Sequence, residues 1–196
     1  MADAAIKRTR NAIATRARIE KEALRLFAEK GVDGATIRDL STAVGVADAA
    51  LYRYYASKEE IASDIFTRHY GALARAIRDI GEKALPFKQC VLALVDLFCD
   101  LFDEAPDVFA FILLNQHAHL RYVKAGENVV DELVAIMKRA YRRGEISVGD
   151  ADLAAAMALG AVLQPAVFKI YGRLPGTLSS RAAALAEAAM NAAGAK

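Results

Sequence analysis

The sequence predicts an all-α protein of about nine helices, with a small N-terminal helix-turn-helix domain and a larger C-terminal helical domain. Three observations carry this. Hydrophobic residues fill 55% of the 196 positions, many of them alanine, the strongest helix former. Apolar residues recur at helical spacing, as in Ile19, Ala23, Leu26 and Phe27. No segment shows the alternating pattern of a strand.

Taken in order, residues 1–13 read as a flexible polar arm bearing Lys7, Arg8 and Arg10. The first helix then runs to about Lys30, where Gly31 ends it and Gly34 completes a loop. Thr36 caps the second helix, with Asp39 three residues on as a variant capping box. Ile37, Leu40 and Val44 form its buried stripe, and Gly45 makes the turn into a third helix over Asp48 to Tyr55. Ser57 caps a fourth helix, whose first turn holds Glu59 and Glu60 where the helix dipole favours anions. It extends to about Ile80.

Further helices follow Pro86, Pro106, Asn128 and Asp150, and Ser179 or Ser180 is expected to cap an alanine-rich last one. The chain divides into the arm (1–13), a helix-turn-helix domain (14–58, with the motif at about 36–55), a connecting helix (59–82) and a domain for ligand binding and dimerisation (83–196).

Charge separates the two ends. Residues 1–58 carry 11 basic and 7 acidic side chains, and the remainder 15 and 17. A basic front with a faintly acidic back suits nucleic-acid contact by the front alone. Other classes find little support. Cys90 and Cys99 lie roughly 13.5 Å apart along one helix, too far for a disulfide. His117 and His119 point to different sides of a helix, so no metal site is expected. No cofactor motif and no nucleophile–base pair supports catalysis. The longest uncharged run, Leu153–Phe168, falls short of the roughly 20 apolar residues of a membrane helix, and the start has no signal-peptide pattern. A soluble cytoplasmic protein that is not an enzyme is expected.

The third helix is the informative one. Leu51 and Tyr55, with Val46, would pin it to its neighbours, leaving Asp48, Ala49, Ala50, Tyr52, Arg53 and Tyr54 on free faces. Tyrosine hydroxyls can donate to phosphates, and Lys58 and Thr36 sit at helix starts suited to the same task. Arg38 can contact guanine bidentately, with a solvated ion pair to Asp39 or Glu22 as its ordinary alternative.

The pattern Ile19, Ala23, Leu26-Phe27, Gly31, Thr36-Ile37, Ala43, Gly45-Val46, Leu51-Tyr52, Tyr54-Tyr55, Ser57-Lys58-Glu59 resembles the TetR (tetracycline-repressor-like) family of bacterial transcription regulators. The resemblance covers about Arg18 to Ile61. It implies a homodimer that binds a palindromic double-stranded DNA operator and is released when a small-molecule effector displaces the fourth helix. By position, Tyr52, Tyr54, Lys58 and Thr36 match phosphate contacts; Arg38, Asp48, Ala49, Ala50 and Arg53 match base-reaching positions.

This chain departs from the pattern in places. Ala47 stands where a capping serine is usual, and Leu40-Ser41 where Ile-Ala is usual. Asp48 near phosphates is unfavourable unless it caps the helix one residue late or accepts from cytosine N4.

Downstream, Val108 to Leu120 is apolar nearly all round yet carries Asn115, Gln116, His117 and His119. These polar groups, walled by Phe98, Phe102, Phe109, Phe111 and Tyr122 and faced by Gln164, form the candidate effector pocket. Core histidines satisfied by backbone carbonyls or by Asp96 or Asp100 are the ordinary alternative. Small residues on the last two long helices suggest a two-fold interface through Leu153, Met157, Gly160, Ala161, Leu185 and Ala189. Two other functions fit the same residues: a DNA-binding regulator without an inducer, and an apolar-ligand carrier or enzyme with a vestigial DNA-binding head.

Overall fold

A computed structural model describes the backbone of residues 2–196 and the side chains of residues 12–196. Nine α-helices are present among the described residues: α1 (Ala2–Gly34), α2 (Ile37–Val44), α3 (Asp48–Leu51), α4 (Lys58–Glu82), α5 (Phe87–Glu104), α6 (Pro106–His119), α7 (Val129–Arg142), α8 (Ala151–Ile170) and α9 (Ala182–Ala192). They form two compact units. The smaller holds residues 1–68 and 114–122; the larger holds 69–113 and 123–196.

In the smaller unit, α1 starts earlier than expected. Its backbone is helical from Ala2, so 2–13 form a helical extension rather than an arm. The side chains of Lys7, Arg8 and Arg10 lie outside the described residues. At Gly31 (φ 71°, ψ 166°) the helical backbone breaks, in a region that favours glycine. Ile19, Ala23, Leu26 and Phe27 are buried as their spacing predicts. Leu40, Val44, Leu51, Ile61, Ile65 and Phe66 complete this core. The ring of Phe66 stacks on His119 with centroids 5.3 Å apart.

In the larger unit, α8 packs against α7 and α9, and α9 packs against α5. The second half of α4 is tied to α7 and the segment before it. Arg78 pairs with Glu132 at 2.6 Å, Arg75 with Glu127 at 2.6 Å, and the Tyr70 hydroxyl donates to the Asn128 side chain at 3.2 Å. Asn128 also caps α7, accepting from the Val130 N–H at 2.9 Å.

The last helix begins differently from expectation. Neither Ser179 nor Ser180 caps it: Ser179–Arg181 form a 3-10 turn, and α9 has no side-chain cap. Asp103 of α5 accepts instead from the N–H groups of Leu178 and Ser179, both at 2.9 Å.

By length and composition α8 does qualify as a membrane-crossing helix, correcting the shorter estimate from its uncharged run. One of its faces, however, is packed protein: Ala154, Ala155, Ala158, Val162 and Ala166 are buried.

Both cysteines are buried and unbonded. Burial pushes the Cys99 thiol up to about 11, helped by the nearby carboxylates of Asp103, Asp96 and Asp100, and burial raises Cys90 as well. Thiolate is the reactive form. A thiol-specific reagent is therefore expected to leave both cysteines unmodified in the native protein and to label both after unfolding. Fast labelling of the native protein would contradict this.

Candidate nucleic-acid interface

The motif is assembled from local signals. Thr36 accepts from the Asp39 N–H at 3.0 Å, and the Asp39 carboxylate accepts from the Thr36 N–H at 3.0 Å, so the capping box is complete. The Thr36 hydroxyl and Lys30 hold the Asp39 carboxyl below its ordinary range. Gly45 takes the left-handed conformation (φ 72°, ψ 42°), and its N–H returns to the carbonyls of Ser41 and Thr42. A larger residue here would be strained, so the turn angle is set by glycine. Arg18 reaches from α1 to donate to the Val44 carbonyl, satisfying an acceptor at the end of α2.

The helix proper of α3 spans only Asp48–Leu51. Turn hydrogen bonds from Tyr54 N–H (2.9 Å) and Tyr55 N–H (3.2 Å) to the Leu51 carbonyl carry it on to the expected end. Leu51 and Tyr55 are buried, as anticipated. The Tyr55 hydroxyl donates to Asp64 at 3.0 Å, and its ring lies under the Arg16 guanidinium at 5.5 Å. Burial, then the Asp64 contact, pushes its hydroxyl up to about 12, so Tyr55 remains a donor through the physiological range. Arg68 joins this network through Glu20 at 2.6 Å. The back of α3 is thereby fixed to α1 and α4.

Its front is open. Asp48, Ala49, Tyr52 and Arg53 are exposed, Ala50 and Tyr54 are half-buried, and Thr36 and Arg38 are exposed at the start of α2. Eight of the nine predicted contact residues are thus exposed or half-buried.

Lys58 is placed differently. Its ammonium donates to the carbonyls of Asp33 at 2.8 Å and Ala35 at 2.9 Å. It therefore clamps the turn between α1 and α2 to the start of α4, a role visible only in three dimensions. Asp48 does not cap α3 either: Ala47 holds the cap position without a side-chain bond, and the Asp48 carboxylate accepts from the Ser41 hydroxyl.

The other predicted site residues fall in both units. Phe98, Phe102 and Phe111 are buried in the larger unit, where Phe98 meets Phe109 edge-on at 5.2 Å. Asn115, Gln116, His117 and Tyr122 belong to the smaller unit. His117, Tyr122 and Gln164 are exposed. His119 is the buried polar residue of this group. On α8, Leu153, Met157 and Gly160 are exposed and Ala161 is half-buried. On α9, Leu185 and Ala189 are buried in the chain's own core, which removes them from any surface open to a partner.

A short helix held at its back by a buried leucine and tyrosine, with an open front bearing arginine and tyrosine, has the arrangement of a helix-turn-helix motif. Residues 19–65 match the family described as bacterial regulatory proteins, tetR family. The negative transcriptional regulator IcaR of the biofilm operon icaADBC in Staphylococcus epidermidis is 48% identical over 44 residues, covering 22% of this chain and 24% of IcaR. The transcriptional repressor KstR2 of Rhodococcus jostii is 30% identical over 85 residues, covering 43% of this chain and 42% of KstR2.

The matched segment thus spans less than half the length of these curated relatives. Among solved structures, the TetR-family regulator PfmR from Thermus thermophilus is 25% identical with a TM-score of 0.71, covering 89% of this chain and 97% of PfmR. Residues 19–65 thus carry the N-terminal segment of the tetR family, and the fold of the chain is similar to that of the TetR-family regulator PfmR.

Proposed function

We propose that the protein is a cytoplasmic, homodimeric transcriptional repressor that binds a near-palindromic operator and acts by binding rather than catalysis. One observation carries this reading: α3 and the turn that follows it bury Leu51 and Tyr55 and leave Ala49, Tyr52 and Arg53 exposed. Tyr52, Tyr54 and Thr36 contact phosphates and fix register. Arg38 and Arg53 reach base edges from either side of the motif, while Ala49 and Ala50 permit close approach to thymine methyls. A small apolar or amphipathic effector, accommodated beside the Phe98–Phe102–Phe109 cluster, releases the operator. The exposure of His117, Tyr122 and Gln164 favours a second reading, a regulator without a small-molecule inducer. A thermal-shift screen separates the two: stabilisation by one ligand class supports the effector, and flat shifts support the second reading.

Footprinting on DNA upstream of the protein's own coding region tests DNA binding. Two protected half-sites about one helical turn apart are expected, and Arg38→Ala is expected to weaken binding by the scale of one base contact, roughly 1–3 kcal/mol. No protection at any concentration would contradict the reading.

Lys58 acts here as a positioning residue. Lys58→Met is expected to weaken operator binding by loosening the turn at 33–35, without changing the dependence of affinity on salt. A lysine on a phosphate would instead lower the slope of log K against log salt by about 0.9.

A further inference from the structure

The exposed start of α3 carries a carboxylate, a group that, like the phosphates of DNA, only accepts hydrogen bonds. Ala47, Asp48 and Ala49 are all exposed, and neither alanine has a polar side chain. Asp48 is therefore the polar side chain at the start of α3, and it is acceptor-only. Such a group lowers affinity for any duplex unless it meets a donor.

It is also held in place. Ser41 of α2 is only 2% exposed, and its hydroxyl lies within reach of two acceptors, the Asp48 Oδ1 and the Arg38 carbonyl at 3.1 Å. Ser41 stands at the position where the family pattern has alanine, which has no hydroxyl. One carboxylate oxygen is thereby anchored to the scaffold, and the other has no protein partner among the described residues.

We propose that Asp48, oriented by Ser41, is a specificity-determining residue that accepts a hydrogen bond from cytosine N4 in the operator's major groove. This rests on the DNA-binding reading above. The chemistry selects one base. Guanine and thymine present acceptors to the major groove, which repel a carboxylate. Adenine presents its N6 donor beside the N7 acceptor. Cytosine presents the N4 donor alone.

Asp48 thus supplies the hydrogen-bonded readout that Ala49 and Ala50 cannot. It also penalises sequences that lack cytosine at that position, so it contributes specificity at the expense of general affinity.

The test is selection of an operator from a randomised DNA pool with the full-length protein. Affinities are then measured for all four bases at each position of a half-site. Wild type is expected to prefer cytosine at one position by roughly 5- to 150-fold, the range of a single base contact. Asp48→Ala is expected to abolish the preference there, leave the other positions unchanged and strengthen binding to non-operator DNA. Asp48→Asn is expected to move that preference toward adenine, because an amide can pair with both N6 and N7. Ser41→Ala is expected to weaken it.

A selected operator whose base profile is the same for wild type, Asp48→Ala and Asp48→Asn overturns this inference alone. A wild-type protein that selects no sequence overturns the DNA-binding reading together with it.

Discussion

Met157→Glu is expected to convert a dimer into a monomer and to lower operator affinity by about two orders of magnitude or more, because linked half-site binding is lost. The expectation comes from the two faces of α8. Ala154, Ala155, Ala158, Val162 and Ala166 are buried within the chain. The opposite stripe carries Leu153 (51% exposed), Met157 (37%), Gly160, Phe168 (46%) and, just past the helix end, Tyr171 (63%). With the exposed Gln164 between Gly160 and Phe168, the row recurs every three or four residues and lies on one side of the helix. A row of large apolar groups open to water marks an interaction face. Two-fold pairing would bring Met157 near its own copy, so one substitution places two charges in an apolar seam. Light scattering after size-exclusion chromatography reads the mass directly. A dimer that persists in Met157→Glu would exclude this face.

Leu185→Glu has a different expected outcome. Leu185 is 7% exposed and faces the core, so the change should unfold the larger unit rather than separate subunits.

Phe66→Ala is expected to cost about 3–5 kcal/mol, the range for emptying a buried aromatic site. Phe66 is fully buried, and its ring stacks on His119. Urea unfolding should show the loss, and DNA binding should fall with it. A cost below about 1 kcal/mol would mean that the site collapses around the gap.

The His119 partner adds a pH dependence. Burial, then the like charge of Arg121, holds this histidine below its ordinary value of 6.5. Its neutral form is the one the folded state prefers. The stabilisation is therefore complete above 6.5 and lost as pH falls through the lower folded-state value. His119→Leu should flatten stability against pH in that acidic window, whereas an unchanged profile would show that another group is responsible.

Much of the reading head was legible because its signals are local. Thr36 and Asp39 lie one helical turn apart, Gly45 is where a left-handed residue is needed, and Leu51 and Tyr55 share one side of a short helix. The contacts of Lys58 and Asp48 were not legible. Lys58 satisfies carbonyls 23 and 25 residues away, and Asp48 takes its proton donor from α2, seven residues back. A lysine beside a helix start looks the same in sequence whether it meets phosphate or carbonyl.

The phase of α9 failed for another reason. With Ala182–Ala184, Ala186, Ala188 and Ala189 on all sides, the helix has almost no hydropathy contrast to say which face is inward. Leu185 looked like an interface residue because nothing beside it looked like a core. The start of α9 depended on Asp103, 75 and 76 residues earlier in the chain. On α6, the near-continuous apolar run similarly hid the fact that Leu114 and His117 are exposed while Phe111 and His119 are buried.

The open face of α2 and α3 is proposed to bind a specific DNA site. The most direct measurement is the salt dependence of binding by the full-length protein to duplex DNA from upstream of its own coding region, beside a shuffled duplex of equal composition. A log–log slope set by several phosphate contacts is expected on both duplexes, with the upstream duplex bound about 10³-fold or more tightly at physiological salt. Equal affinity for the two duplexes, or binding insensitive to salt, would contradict it.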